Sequence, residues 1–224
     1  LGLSNGDIHV IDIESKTEKH FFQQHKKAVF TIHCLPKNKG ICIGDADGNL
    51  SIWNAETNKL DLLIPLDCGK IRAVKSNEDG TLVSFHCQDE TIRIFETTGF
   101  NEIITLTAHS NGSNCGVFTS NGSFLSGGKD AQLKKWDYAN EKEGKSIPAH
   151  YYAIYQLMEF EKELIISCSR DKTIKIWDSE LNFLDKLDIK SGGHKHSVNQ
   201  ICKIDESRFA SCSDDKKIIL WRKL

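Results

Sequence analysis

Serine, histidine and aspartate recur along this 224-residue chain at fixed distances from one another. His109, Ser126 and Asp130 form one set, His150, Ser167 and Asp171 a second, and His194, Ser211 and Asp215 a third. In each, 17 residues separate histidine from serine and four separate serine from aspartate. These side chains can make a nucleophile, its general base and the group that orients the base. Repetition argues for another use. Hydrolysis needs one such set beside oxyanion donors, whereas this set occurs three times and each time ends on an indole, at Trp136, Trp177 and Trp221. An indole N–H can only donate, which suits a network that holds strands together. No residue is therefore assigned a catalytic role, and the chain is read as a non-enzyme.

The other reactive residues give no second site. His194 and His196 lie close, but the first belongs to a set above and no third ligand follows nearby, so no metal is expected. Ser126-Gly127-Gly128-Lys129 and Ser191-Gly192-Gly193-His194 lack the strand-to-helix spacing that cradles phosphate and are read as loops or turns. The eight cysteines, Cys34, Cys42, Cys68, Cys87, Cys115, Cys168, Cys202 and Cys212, stand singly without zinc-site spacing. They are read as buried thiols in a reducing, cytoplasmic setting, because free cysteine packs as a small apolar residue. No cofactor is expected.

Bulk properties narrow the partners. Lysine and arginine number 29 against 31 aspartates and glutamates, with no block of one sign, so nothing indicates the field of a duplex-binding surface. No apolar run approaches the roughly 18 residues that cross a bilayer. Leu1 to Val10 also lack the basic start and apolar centre of a signal peptide, so membrane insertion and export are not expected. A hydrophobic content of 39% is ample for a folded core.

The elements that must position these sets repeat as well. Trp53, Phe95, Trp136, Trp177 and Trp221 follow one another at steps of 42, 41, 41 and 44 residues, and Ile11 lies 42 before Trp53. Each closes an alternating run such as Thr173-Ile174-Lys175-Ile176-Trp177, the period-two pattern of a half-buried strand. A tight polar turn precedes it, as at Asp47-Gly48-Asn49, and before that a short apolar strand such as Leu164 to Cys168. Further back lie alternating runs at Val29 to Ile32, Ile154 to Leu157 and Val198 to Ile201, and after the aromatic residue come Leu60 to Ile64, Glu102 to Leu106 and Phe183 to Ile189. Four short strands per unit bury both faces only if the sheets stack radially.

These residues resemble the WD-repeat (WD40) family, whose signature is a histidine, a small hydroxyl residue, a turn aspartate and a tryptophan in register. The Trp136-Asp137 and Trp177-Asp178 dipeptides and Gly193-His194 add to the match. Two units depart from it. Around Trp53, His25 and the turn aspartate Asp47 remain, but Ile43 stands at the serine position; around Phe95 only Asp89 survives, with Phe85 at that position. Both are expected to depend more on apolar packing.

The resemblance implies an all-β, WD40-type β-propeller of four-stranded antiparallel blades, seven-bladed when complete, with six blades the alternative. About five and a half repeats are present here. The expected organisation is one propeller domain over 1–224, divided as a partial blade over 1–24, blades over 25–66, 67–107, 108–148 and 149–190, and a blade lacking its outer strand over 191–224. A full ring at about 42 residues per blade would need about 294 residues, so sequence upstream of Leu1 is expected. The resemblance further implies that aspartate accepts from histidine, histidine meets the serine hydroxyl and serine accepts from the indole. It places Phe30, Arg72, Tyr155 and Asn199 at the channel mouth, with Cys115 a looser fit, and beside them Ala46, Gln88, Lys129, Arg170 and Asp214. Lys70, Arg72, Lys129 and Arg170 would give a basic arc suited to an acidic or phosphorylated peptide. The implied function is a scaffold that binds partner proteins or peptides on this face. A propeller enzyme with a channel active site is the alternative, and a nucleic-acid-binding propeller comes third.

Overall fold

The computed structural model describes residues 1–140 and 142–222; Glu141, Lys223 and Leu224, which fall in the fourth and last sequence units, lie outside the described residues. The chain divides into two compact units, Leu1–Thr105 and Leu106–Leu224.

In the first unit, β1 (Ile8–Asp12) and β2 (Thr17–Phe22) form a two-stranded sheet. Next come β3 (Val29–Cys34), β4 (Ile41–Asp45), β5 (Asn49–Trp53) and β6 (Leu60–Pro65), paired in chain order. A third sheet follows with β7 (Ile71–Ser76), β8 (Leu82–Cys87), β9 (Thr91–Glu96) and β10 (Glu102–Thr107), whose last two residues pass the division. The second unit continues the scheme with β11 (Ser113–Phe118), β12 (Phe124–Gly128), β13 (Gln132–Asp137) and β14 (Lys142–Pro148) in one sheet. The next holds β15 (Ile154–Glu161), β16 (Leu164–Ser169), β17 (Ile174–Asp178) and β18 (Phe183–Leu187), and the last has three strands, β19 (Val198–Lys203), β20 (Arg208–Ser213) and β21 (Ile218–Arg222). The ladders given by register are all antiparallel, and among the described residues no helix is long and apolar enough to cross a membrane.

Successive sheets within a unit share their cores. Leu50, Ile52 and Cys42 of the β3–β6 sheet pack with Ile71, Val83 and Phe85 of the β7–β10 sheet in one buried cluster. Cys115, Leu125 and Leu133 likewise join Ile154, Leu157 and Ile165, and Ile166 and Cys168 join Val198, Ile201 and Phe209. The approach is close enough to require glycine. A Cβ built on Gly127 would sit 2.8 Å from Ile154 Cγ2, and one on Gly44 would sit 2.7 Å from Ile71 Cβ.

Two bulges recur and were not visible in the alternating pattern. The first interrupts the register between the opening two strands of each sheet from β3 onward, at Val29/Thr31, Ile71/Ala73, Ser113/Cys115, Ile154/Gln156 and Val198/Gln200. The second falls just before the tryptophan where β5, β13 and β17 meet their outer strands. A bulge turns the following residue against the simple alternation. The extra residue lies on the outer strand, at Asp61, Gly144 and Leu184, while β17 keeps an unbroken register with β16.

The cysteines are only partly as expected. Cys42, Cys68, Cys87, Cys115 and Cys168 are buried, whereas Cys34 and Cys202 are exposed and Cys212 is intermediate. Cys34 takes an outward-facing position of β3, which alternates between half-buried and exposed, and Cys202 an exposed position of β19, where only Val198 and Ile201 are buried.

Candidate functional site

The recurring polar sets form hydrogen-bonded chains inside the sheets. His109 Nδ1 lies 2.9 Å from Asp130 Oδ1, His109 Nε2 lies 2.7 Å from Ser126 Oγ, and Trp136 Nε1 donates to the same oxygen at 2.7 Å. The second set has 2.9 Å from His150 Nδ1 to Asp171, 2.8 Å from Nε2 to Ser167 Oγ, and 2.9 Å from Trp177 Nε1 to that oxygen. In the third, His194 meets Asp215 at 3.1 Å and Ser211 at 2.8 Å, and Trp221 reaches Ser211 at 2.8 Å.

Donor counting fixes the directions. The indole can only donate and the carboxylate can only accept, so each serine oxygen accepts from the indole and each Nδ1–H donates to aspartate. The electrostatics agree. Burial lowers the His150 pKa, against the opposing pull of Asp171. Burial alone would raise the Asp171 carboxyl, but the His150 ring, the Thr173 hydroxyl and the Tyr151 amide hold it well below the usual carboxylate range. Asp215 is held at about 2 by the same balance, with burial opposed by the Lys195 and Lys217 amides and the His194 ring. Ser126 and Ser167 are fully buried and Ser211 is 2% exposed. Each hydroxyl is engaged by both the indole and the imidazole.

The departing unit around Trp53 holds a fourth chain that the sequence reading missed. His25 Nδ1 lies 2.9 Å from Asp45 Oδ2, not Asp47; His25 Nε2 lies 2.8 Å from Ser51 Oγ; and Trp53 Nε1 donates to Ser51 at 2.8 Å. Asp45 ends β4 and is buried, and its other oxygen accepts the amides of Asp47 and Asn49. Asp47 is exposed in the turn. The expectation of mainly apolar packing is thus corrected here, because two polar residues outside the family register supply the missing contacts. In the β7–β10 sheet Ser84 Oγ lies 3.3 Å from His86 Nε2, but among the described residues no indole joins them, and Phe85 meets Phe95 edge-on at 5.2 Å.

The residues assigned to the channel mouth fall on one structural feature. Phe30, Arg72, Tyr155 and Asn199 are each the unpaired residue of the first bulge in their sheet. The equivalent in the β11–β12 pair is Asn114, not Cys115, which is buried and paired with Gly127. Asn114 stands five residues after His109, the same separation as Phe30 from His25, Tyr155 from His150 and Asn199 from His194, so the loop holds no additional residue and the choice of Cys115 is corrected by one. Asn114 is itself buried and donates from Nδ2 to the Ile154 carbonyl at 2.9 Å.

Within the first unit, Phe30 is 43% exposed with Lys70 Nζ 4.5 Å above its ring, and Arg72 is half-buried. Within the second, Lys129 and Arg170 are exposed in the turns after β12 and β16, and Tyr155 is half-buried against the β19 core. Asn199 donates to Asp214 at 2.6 Å. Sequence reasoning missed Tyr151 and Tyr152, which follow His150. Tyr151 is 88% exposed and Tyr152 59% exposed, with the Arg170 guanidinium 6.0 Å from the Tyr152 ring and Lys175 Nζ 5.9 Å from the Tyr151 ring. Two adjacent tyrosines outside any strand were the available signal. No group of three or more histidine, cysteine or acidic residues gathers as for a metal among the described residues.

Successive antiparallel sheets of up to four strands, four of them bearing an internal polar clamp, define a β-propeller protein built from repeats. The chain belongs to the WD40 family: the description "WD domain, G-beta repeat" matches residues 16–54, 100–137, 142–178 and 186–222. Most of the β7–β10 sheet, which lacks the clamp, is skipped. Similar proteins include polyadenylation factor subunit 2 of Candida albicans, 26% identical over 64% of this chain and 26% of that protein. The ribosome biogenesis protein WDR12 homolog of Ixodes scapularis is 25% identical over 70% of this chain and 45% of that protein. The chain therefore spans less than half the length of these relatives. The solved structure of U3-55K shares the fold, with a TM-score of 0.81 at 21% identity over 88% of this chain and 62% of that one. The family has a general protein-interaction role and is in general non-catalytic.

Proposed function

We propose that the chain is a non-enzymatic scaffold that grips acidic or phosphorylated segments of partner proteins through its first-bulge residues and neighbouring turns. One observation carries this reading: five sheets place an unpaired bulge residue at the same register, and four of these, Phe30, Arg72, Tyr155 and Asn199, are at least partly exposed. Bulges re-aim side chains out of a ladder, and aromatic residues with arginine are favoured where binding energy concentrates. In the second unit, exposed Lys129 and Arg170 supply charge, with Tyr152 beside Arg170 as a flat apolar surface. Guanidinium forks match carboxylate and phosphate oxygens. The reducing, cytoplasmic setting remains part of the proposal, supported by eight cysteines that form no disulfide among the described residues.

The test titrates the folded chain with a fluorescent pool of acidic and phosphoserine peptides, using the neutral amide counterparts as control. Arg170→Glu with Lys129→Glu, and separately Arg72→Glu, should weaken acidic-peptide binding on the order of tenfold or more without lowering the melting temperature. Equal binding by charge-reversed and unmodified chains would contradict the proposal.

A further inference from the structure

Where the β3–β6 sheet carries an imidazole and a carboxylate, the β7–β10 sheet carries two thiols. Asp45 faces Val29 across its ladder and reaches forward to His25, four residues before Val29. Cys87 faces Ile71 in the equivalent register. The next link is also the same, with Ala46 N–H donating to Ala28 and Gln88 N–H donating to Lys70, each at 3.0 Å. Cys68 lies three residues before Ile71, one nearer the strand than its histidine counterpart, as its shorter side chain requires. Asp89 N–H donates to the Cys68 carbonyl at 3.1 Å, which ties the Cys68 segment to the chain just beyond Cys87. Both cysteines belong to one buried cluster, where the Cys68 thiol donates to the Gly69 carbonyl at 3.6 Å and the Cys87 thiol to the Phe85 carbonyl at 3.7 Å.

Their surroundings are not purely apolar. Arg93 lies within electrostatic reach of both sulfurs. It is held by Asp89 at 3.2 Å through one terminal nitrogen, while its buried Nε has no hydrogen-bond partner among the described residues. Cys42 and Cys168 are also buried, and burial is the main influence on each, raising both thiols; for Cys42 the value reaches about 12. Cys68 goes the other way. The Cys87 side chain lowers its pKa, against burial and the Asp89 charge, which raise it, and Arg93 adds to the lowering. Cys87 is raised, first by the Cys68 side chain and then by burial. The pair thus divides into a sulfur disposed to carry negative charge and one disposed to keep its proton.

From this geometry we infer that Cys68 and Cys87 form a peroxide-oxidisable dithiol, with Cys68 the attacking and Cys87 the resolving sulfur. In the first step the Cys68 thiolate attacks one oxygen of hydrogen peroxide. The O–O bond breaks, hydroxide leaves and takes up the thiol proton as water, and Cys68 becomes a sulfenic acid. In the second, the Cys87 sulfur attacks the Cys68 sulfur and displaces hydroxide, which combines with the Cys87 proton as a second water. The two thiols lose two electrons in all and the peroxide gains them. The product is a covalent link where the neighbouring sheets have a hydrogen bond.

The folded chain is exposed to hydrogen peroxide, its free thiols are blocked, and its disulfides are mapped by peptide mass spectrometry. A peptide joining Cys68 to Cys87 should dominate and form on the order of tenfold faster than any product at Cys42 or Cys168. In Cys87→Ser, Cys68 should accumulate as a sulfenic acid captured by a 1,3-diketone, while in Cys68→Ser the remaining Cys87 should stay a thiol. Mapping of the unmodified chain needs no variant to fold. Recovery of both residues as thiols after exposed Cys34 and Cys202 have been oxidised would overturn the inference, as would oxidation of either without the mutual link.

Discussion

Ser51 stands directly opposite Ile43 across the β4–β5 ladder, at the place where Ser126 faces Lys134, Ser167 faces Lys175 and Ser211 faces Ile219. Opposite residues share a face of the sheet. Moving the hydroxyl across the ladder therefore leaves its oxygen in reach of the same two partners, His25 and Trp53, both at 2.8 Å. The clamp depends on where the oxygen lies, not on which strand supplies it. Ile43 uses the vacated position to pack against Ile8 and Trp53.

Asp45 and Asp47 separate this account from one based on motif register. Asp45→Ala should destabilise the protein by about 1–3 kcal/mol, because it strands a buried imidazole and two turn amides. Asp47→Ala, at an exposed turn position, should stay within about 0.5 kcal/mol of the parent. Denaturant unfolding of both variants checks this. A larger loss at Asp47 would reverse the assignment.

Acid sensitivity should trace to the clamp aspartates. The folded value of Asp215 is about 2 against an ordinary 3.8, so its contribution to stability is full above the ordinary value. It is lost as pH falls toward about 2, because the unfolded chain takes up the proton first. Asp171 acts in the same direction. Asp171→Ala should lower the melting temperature at neutral pH, and Asp215→Asn should flatten the melting curve's dependence on pH through the acid range. An unchanged melt for the first, or an unchanged slope for the second, would speak against load on these carboxylates.

His33 supplies a second pH effect in a milder range. Its Nε2 accepts the Ser76 amide at 3.2 Å and lies 2.9 Å from the Ser76 hydroxyl. Burial and then the Lys75 charge lower it from 6.5 to about 4. Here too the unfolded chain binds the proton first, so stability should fall as pH drops from 6.5 to about 4 and level off below. His33→Asn should remove that slope. A variant with the parent's slope over this interval would refute the assignment.

The first-bulge residues should divide by burial. Asn114→Ala strips the Ile154 carbonyl of a buried donor and should cost about 1–3 kcal/mol. Asn199→Ala affects an exposed pair with Asp214 and should change stability by less than about 0.5 kcal/mol. Thermal melts of the two variants decide whether the register position has both a structural and a surface use.

Much of this was legible in the residues. Tryptophan spacing gave the sheets, and three sets with the same separations gave three clamps, because both depend on local sequence distance. What escaped depends on contacts between strands. Asp45 and Ser51 were hidden because cross-ladder exchange changes sequence separation while preserving spatial position. Asn114 was legible too, because it stands as far from His109 as Phe30, Tyr155 and Asn199 stand from their histidines. Strand β14, Lys142–Pro148, was not assigned, since Lys-Glu-Gly-Lys-Ser shows neither apolar alternation nor a turn signal. Exposure of Cys34 and Cys202 follows from which way each strand faces, and composition does not carry that.

Hydrogen exchange of the indole N–H groups, followed by NMR, tests the central claim most directly. All four tryptophans, Trp53, Trp136, Trp177 and Trp221, donate to a serine oxygen at 2.7–2.9 Å. Four protected indole protons, with Ser51→Ala releasing that of Trp53 alone, are expected. Indole protons that exchange as freely as those of an unfolded chain would contradict a clamp in every sheet that has a tryptophan.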